Sequence, residues 1–215
     1  MAGVREQARA ETTTAILAAA RSEIAQHGGG GLSMRAVARE VGLVSSAVYR
    51  YFPTREALLT AMIIESYGHL ADRLGQVRAR QPEQRWRALG RALRDWGREF
   101  PHEFQLIYGT PVPGYVAPPD TVPAAESVAQ FFMSVAAPAR IPGFEAPRLV
   151  RQMRPYADSA GLEPSGVAAT IAEIAALVGF ISLELAGHFV GTADPADHLY
   201  AALLQRQCLT LGLSG

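Results

Sequence analysis

Residues 32–59 read LSMRAVAREVGLVSSAVYRYFPTREALL, and two residue patterns share this stretch. Apolar side chains recur at helical spacing on both sides of Gly42, which predicts two short helices joined by a tight turn that the glycine permits. A buried core accounts for these apolar positions, but not for the polar side chains that follow the turn at Ser45, Ser46, Tyr49 and Arg50. The stretch therefore predicts a helix-turn-helix with an exposed polar face.

The flanking residues predict the rest of an N-terminal helical domain. Helix 1 is expected from Gln7 to His27, ended by the glycines at 28–31. Ser33 is expected to cap helix 2, and Thr54 to cap helix 4 after Pro53 stops helix 3. The expected inward side chains are Ile16, Leu17, Ala20, Ile24, Val37, Ala38, Val41, Val44, Ala47, Val48, Tyr51, Phe52, Leu58, Leu59, Met62 and Ile63.

Length and composition bound the class of protein. The chain has 215 residues, 49% of them hydrophobic, which suits one larger or two smaller domains. Its single cysteine, Cys208, excludes an intramolecular disulfide framework and a Cys-based zinc site. Five scattered histidines show no metal-ligand spacing, so neither a metal nor a cofactor is expected. Residues 1–60 hold seven Arg and five Glu, a mild net charge of +2 that decides nothing by itself.

Neither a secretory signal nor a membrane span is expected. Charged residues precede any apolar stretch at the N-terminus, and no apolar run is expected to reach the roughly 18–20 residues that a membrane helix needs. The expected location is the cytoplasm, with no membrane partner.

Proline placement and the lack of strand-like alternation predict an all-α fold. Eleven of the fourteen prolines lie between Pro101 and Pro164, so that part is expected to hold broken helices and loops. After helix 4, which is expected to continue to about Arg80, the expected helices are Pro82–Phe100, His102–Gly109, Pro123–Ala137, Pro147–Ala160, Ser165–Phe189 and Pro195–Leu211.

The polar face of helix 3 suits the major groove of DNA. Serine is small enough to let a helix lie close to base edges, Arg50 can bind guanine through two hydrogen bonds, and Tyr49 can reach a phosphate. Ser33 and Thr54 lie at helix N-termini, where hydroxyl and free N–H groups bind phosphate, and Arg35 and Arg55 add positive charge. The alternative is an ordinary helical hairpin with a solvated polar face.

This pattern resembles the DNA-binding segment of TetR-family transcriptional regulators over about residues 7–65. The residues that carry the resemblance are Ala38, Gly42, Tyr49, Arg50, Tyr51, Phe52, Thr54, Arg55, Glu56 and Leu58. It implies a DNA-binding domain over residues 1–53 and an effector-binding and dimerisation domain over residues 54–215. It also implies that Ser33, Arg35, Ser45, Ser46, Tyr49, Arg50 and Arg55 contact double-stranded DNA. Two residues depart from the family pattern: Val44 replaces a frequent serine, and Ser45 a frequent lysine or arginine.

The stretch DWGREFPHEFQLIYG at residues 95–109 resembles a C-terminal subtype of the same family with a Trp-His-Gly pattern, carried by Trp96, Pro101, His102 and Gly109. Aromatic residues cluster here and suit a small-molecule effector pocket, although they equally suit a helical core. The pocket residues expected are Trp96, Phe104, Tyr108, Phe131, Phe132 and Tyr156. The proline-rich loop Thr110–Asp120 is expected either to gate that pocket or to form an ordered surface strap.

The helix at 165–189 carries an apolar repeat with alternating steps of four and three. Its members are Val167, Ile171, Ile174, Val178, Ile181, Leu185 and His188, and Leu199 and Leu203 begin a similar face on the last helix. Such a repeat is typical of helices that pack at shallow angles. One helix pair cannot bury all of this surface, so a four-helix bundle formed by two copies is expected, with an intramolecular core as the alternative.

These patterns together predict a homodimeric, ligand-responsive transcriptional repressor that is released from a (pseudo)palindromic operator by a small molecule. An all-α enzyme is a second reading, but neither His102 with Glu103 nor Cys208 lies in a visible nucleophile–base arrangement. A third is a DNA-binding protein without an effector.

Overall fold

The computed structural model describes residues 2–214, and these confirm the all-α fold. They form ten α-helices and one short 3₁₀-helix, Pro119–Thr121. The α-helices are α1 (Ala2–Gly31), α2 (Met34–Glu40), α3 (Ser45–Val48), α4 (Arg55–Gly75), α5 (Pro82–Glu99), α6 (Pro101–Tyr108), α7 (Val122–Ala136), α8 (Pro147–Ala160), α9 (Pro164–Leu185) and α10 (Asp197–Thr210).

Helices α1 and α3 differ from their expected bounds, and α4 and α9 end earlier than expected, at Gly75 and Leu185. Helix α1 starts earlier than expected and is kinked at Gly28, whose φ of 69° lies in the left-handed region that glycine favours. Helix α3 is only four residues long, and its chain continues as a turn in which the amides of Arg50 and Tyr51 donate to carbonyls three residues back. The expected inward position of Val44 is wrong, because this residue precedes α3 and its side chain is 70% exposed.

The chain divides into two compact units. The first comprises the residues up to Gly68 together with His102–Ala124. Its core consists mainly of the apolar residues expected from the sequence, with Leu106, Val112 and Tyr115 packed against it. A partly buried ion cluster ties its helices: Arg21 on α1 pairs with Glu65 on α4 at 2.7 Å and with Glu103 on α6 at 3.2 Å. These units do not divide at residue 53, so the functional boundary at 53/54 stays a prediction.

The second unit comprises His69–Pro101 and the residues from Ala125 onward. Trp86 on α5 is fully buried, stacks edge-on against Phe132 and donates from its indole nitrogen to Gln207 on α10 at 3.0 Å. Arg94, also buried on α5, binds both carboxylate oxygens of Glu184 and one of Asp197. These contacts join α5, α9 and α10 through satisfied polar groups.

Helix α9 corrects the expectation that no segment reaches membrane-spanning length. Within the described part of the chain it is the one helix long and apolar enough, with a mean hydropathy of 2.0 over its most apolar window. Core helices of soluble proteins pass the same test, so this is weak evidence for a span. Moreover, 44% of that window is buried inside the protein, and Glu173 and Glu184 on α9 pair with Arg206 and Arg94.

Candidate nucleic-acid interface

Hydroxyl side chains cap the two helices that flank α3. The Ser33 Oγ accepts a hydrogen bond from the Ala36 amide at 3.3 Å, and the Thr54 Oγ1 accepts one from the Ala57 amide at 3.0 Å. Both predicted N-caps are therefore confirmed. Because each oxygen acts as the acceptor, each hydroxyl proton stays available to donate outward.

The α3 segment has an apolar inner side and a polar outer side. Ala47 and Val48 are buried, with Val48 in the core formed by α1, α2 and α4, whereas Ser46, Tyr49 and Arg50 are exposed. Ser45 is half-buried and Arg35, on α2, is exposed. The predicted exposure of the tyrosine and arginine heads is confirmed, so both can reach a bound partner.

Arg55 has a structural role that sequence reasoning missed. Its Nη2 donates to the carbonyl oxygens of Gly29 at 2.7 Å and Gly30 at 2.8 Å, and its Nε donates to the Leu32 oxygen at 2.9 Å. The last carbonyls of a helix lack partners within the helix, and a cation near them is favourable. Arg55 therefore fastens the start of α4 to the end of α1. Its contact with DNA stays a prediction, although this guanidinium is directed largely into its own protein.

We expect Arg55→Ala to lower the free energy of unfolding by about 1–2 kcal/mol, because three carbonyl oxygens lose a charged donor at a partly solvated site. Urea denaturation would measure the loss. Arg35→Ala is the matched control, since Arg35 is exposed and its removal should change stability by less than about 0.5 kcal/mol. Equal stabilities of the two variants would contradict the fastening role.

Arg9 is a second residue that the sequence reasoning did not select. Its guanidinium carbon lies 5.4 Å from the centroid of the Tyr51 ring. Tyr51 directly follows Arg50, the last exposed polar residue of the α3 segment. Arg9 is exposed on the N-terminal turns of α1. A cation over an aromatic ring is held by the ring's negative face. No periodic signal could reveal this contact, because the two residues lie far apart in the sequence.

The proline-rich loop Thr110–Asp120 belongs to the first unit and packs against its core. Val112 and Tyr115 pack on its core, and the hydroxyls of Tyr115 and Thr60, on α4, lie 2.9 Å apart. A side chain at Gly29 would approach Val112 to 3.0 Å. These contacts match the surface strap, one of the two expected roles of this loop.

The expected pocket residues are distributed over several contacts. In the first unit, Phe104 and Tyr108 have ring centroids 5.2 Å apart, and burial raises the pKa of Tyr108. In the second unit, Phe132 packs on Trp86, and the ring centroids of Trp96 and Phe100 lie 6.4 Å apart. Tyr156 packs on a separate apolar cluster, which consists of Met133, Ala137, Ala157 and Val167. Phe131 is half-buried on α7. The buried rings fill cores, and their part in an effector pocket stays a prediction.

A cleft of about 240 Å³ opens on the second unit between α5 and α10. None of the six expected pocket residues lines it; the lining residues are Arg91, Arg94, Asp95, Asp197, Tyr200, Ala201 and Leu204. The hydrogen bond to Glu184 raises the pKa of Arg94, and a hydrogen bond from Arg94 lowers the pKa of Asp197. This cation is already neutralised by its own carboxylates.

The predicted dimer residues fall into three groups by their exposure within the protomer. Ile171 and Leu199 are exposed, while Ile174, Val178, Leu185 and Leu203 are half-buried. Ile181 is fully buried within its own protomer, as is Val167, so Ile181 does not belong on an intermolecular face. The exposed residues of α9 are Ile171, Ala172, Ala175, Gly179 and Leu183, and four of them recur at steps of four, at positions 171, 175, 179 and 183.

Residues 2–214 contain no cluster of three or more His, Cys, Asp or Glu side chains suited to a metal. Cys208 is buried, and burial raises the pKa of its thiol. A thiol held in its neutral form is a poor nucleophile.

Comparison with known proteins identifies the family. Residues 16–62 match the model of bacterial regulatory proteins of the tetR family, and residues 86–207 match the tetracyclin repressor-like C-terminal domain. The second match alone covers more than half of the chain. The protein therefore belongs to the TetR family of bacterial regulatory proteins, whose members are transcriptional regulators and not enzymes.

Relatives and solved structures agree with this family. The chain is 41% identical over 141 residues to the HTH-type transcriptional regulators Rv1816 of Mycobacterium tuberculosis and Mb1846 of Mycobacterium bovis, a match that spans 63% of this chain and 60% of each relative. A crystal structure of SCO4313 is similar with a TM-score of 0.80 and 29% identity, over 94% of this chain and 97% of that one. A variant of TetR from Acinetobacter baumannii, in complex with minocycline, shares the fold with a TM-score of 0.53, 17% identity and 92% of both chains covered.

Proposed function

We propose that the protein is a ligand-responsive repressor in the cytoplasm that binds a (pseudo)palindromic operator as a homodimer and leaves it when a small molecule binds. One observation carries the DNA-binding part. The polar residues Ser46, Tyr49 and Arg50 are exposed on a segment whose inner residues, Ala47 and Val48, are buried. The narrower C-terminal subtype, with its Trp-His-Gly pattern, is part of this proposal.

The outward groups divide into base readers and phosphate contacts. Arg50 is the group that can bind guanine through two hydrogen bonds, while Ser45 and Ser46 let the helix approach the bases. The free protons of the Ser33 and Thr54 hydroxyls, and the side chains of Arg35 and Tyr49, suit phosphate oxygens. Arg9, next to Tyr51, adds a positive charge close to α3. Phosphate contacts fix the orientation, and base contacts supply specificity.

Effector response follows from the spacing of two α3 helices in a dimer. Both enter successive major grooves only when their centres are roughly 34–36 Å apart. An effector that prefers a conformation with another spacing lowers operator affinity, by no more than its differential affinity for the two states. Helix α4 runs without a break from Arg55, in the first unit, to Gly75, in the second. It is therefore the proposed lever between reader and effector site.

Arg50→Ala should weaken binding to the preferred operator by about 1–3 kcal/mol and relax the sequence preference at one base pair, because a two-point contact with guanine is lost. Fluorescence anisotropy against a set of single-base-pair variants would measure both effects. Arg151→Ala removes another exposed arginine, on α8, and it should leave the sequence preference unchanged. Uniform weakening across all base-pair variants would instead make Arg50 a phosphate contact.

Selection of bound fragments from the source genome tests the proposed function directly. We expect enrichment of a short inverted repeat, and its absence would contradict operator binding.

A thermal-shift screen of metabolites distinguishes the proposed function from the alternative, a DNA-binding protein without an effector. An effector that binds the folded state should raise the melting temperature and release the operator. Failure of every compound that stabilises the protein to release DNA would favour the alternative.

A further inference from the structure

Val44 is an apolar side chain that lies in the position of a helix cap. Its backbone is extended, with φ −73° and ψ 147°, and its side chain makes no capping hydrogen bond to α3. It is also 70% exposed. Valine is a poor N-cap, and an exposed valine gains nothing from burial. Two unfavourable features therefore coincide at one residue.

The neighbouring elements do not share these features. Ser33 and Thr54 provide side-chain caps for α2 and α4, so among these three helices the missing cap is particular to α3. Val37 and Val48 are fully buried in the core of the first unit, so valines nearby are otherwise used for packing. A residue that breaks both local rules is expected where function requires it.

The surroundings of Val44 limit what can cover it. Ser45 and Ser46 follow it directly, and Arg35 and Arg50, exposed on the neighbouring segments, are charged. One isolated valine among polar side chains is too small an apolar patch for a protein partner. Among the groups on the floor of the major groove, the C5 methyl of thymine is the apolar one. The residues at the start of a recognition helix are those that reach the base edges.

We infer that Val44 is a specificity-determining residue that contacts the C5 methyl group of a thymine in each operator half-site. This inference rests on the proposed operator binding. The contact buries two apolar groups that water otherwise surrounds, and it favours thymine over cytosine, which lacks the methyl group, at one position of the site. Contact with the methyl group would therefore explain why position 44 holds a valine and not a residue that caps α3.

Deoxyuridine substitution tests the contribution of this methyl group alone, because deoxyuridine is thymidine without the C5 methyl group. Each thymine of one half-site, in the tightest-binding duplex from the genomic selection, is replaced in turn. We expect one replacement to weaken binding of the wild-type protein by about three- to fivefold, the effect of one buried methyl group. Val44→Ala should bind the thymine and deoxyuridine duplexes equally.

Two further variants complete the design. Val190→Ala removes an equally exposed valine, 70% accessible, that lies in the second unit, and it should keep the full response to deoxyuridine. Val44→Ser should gain thermal stability by restoring a cap, yet lose the response to deoxyuridine. This variant separates loss of the contact from loss of folding.

Two outcomes would overturn the inference. One is a wild-type protein that tolerates deoxyuridine at every position, and the other is a Val44→Ala variant that keeps the full response. Both presuppose specific binding of the unmodified duplex. Failure to bind any duplex specifically would instead contradict the proposed function.

Discussion

We expect Gly166→Ala to lower the free energy of unfolding by about 3 kcal/mol, the upper end of the range for overpacking. A side chain at this position, in the first turn of α9, would lie 2.3 Å from the Ala139 carbonyl oxygen and 2.6 Å from that of Ala137. Both atoms belong to the backbone, which cannot rotate away as a side chain would. Helix α9 must therefore move off the chain that follows α7. Urea denaturation, followed by circular dichroism in the far ultraviolet, measures the loss.

Gly68→Ala is the matched control because it makes the same change inside another long helix, α4. Gly68 is exposed, and a side chain there would meet no atom within 4 Å. Alanine in an exposed helix interior is favoured over glycine by about 1 kcal/mol, so this variant should be as stable as the wild type or more stable. If Gly166→Ala were as stable as Gly68→Ala, the close approach of α9 to residues 137–139 would be wrong.

The helix boundaries show what local sequence signals can predict. The interval Pro147–Ala160 was predicted and observed with the same ends, since proline begins the helix and Gly161 ends it with a φ of 67°. The N-caps Ser33 and Thr54 follow from the same short-range chemistry. Helix α3 was predicted too long, because the apolar spacing of Tyr51 and Phe52 persists through the turn that follows Val48.

Long-range contacts had no local signal. Arg55 lies in a pattern of residues predicted to bind DNA, and only the fold brings its guanidinium to the carbonyl oxygens of Gly29 and Gly30. The repeat on α9 was predicted to face a second copy, and this stays a prediction, although its member Ile181 is fully buried within the protomer. With about 3.6 residues per turn, the predicted series crosses from buried positions, at Val167 and Ile181, to an exposed one, at Ile171. The exposed row at positions 171, 175, 179 and 183 holds no polar residue, whereas the polar Thr170 and Glu173 are buried, so polarity did not mark which side faces solvent in the protomer.

The exposed apolar side of α9 leads to the prediction with the largest functional effect. We expect Ile171→Arg and Leu183→Arg each to convert the proposed dimer into monomers. These side chains are 46% and 45% exposed in the protomer, and each lies in the row that includes Ala175 and Gly179. In a symmetric interface each substitution introduces two like charges. The dimer dissociation constant should therefore rise by at least about a hundredfold, as sedimentation equilibrium can measure. Substitution of Ile174 or Val178 tests the interface less clearly, since both are half-buried within the protomer.

Val116→Arg provides the control for an added arginine, because Val116 is 87% exposed in the proline-rich loop and the variant should remain dimeric. A persistent dimer in both α9 variants would place the interface on another face.

Measurements of DNA binding by these variants then separate the effect of dimer assembly from the effect of base recognition. A monomer keeps the exposed residues of α3 and so keeps weak, salt-dependent binding to a half-site. It loses the gain from joining two half-sites, which acts through effective concentration. If a monomeric Leu183→Arg protein bound the full operator as tightly as the wild type, operator affinity would not depend on the binding of two joined protomers to two half-sites.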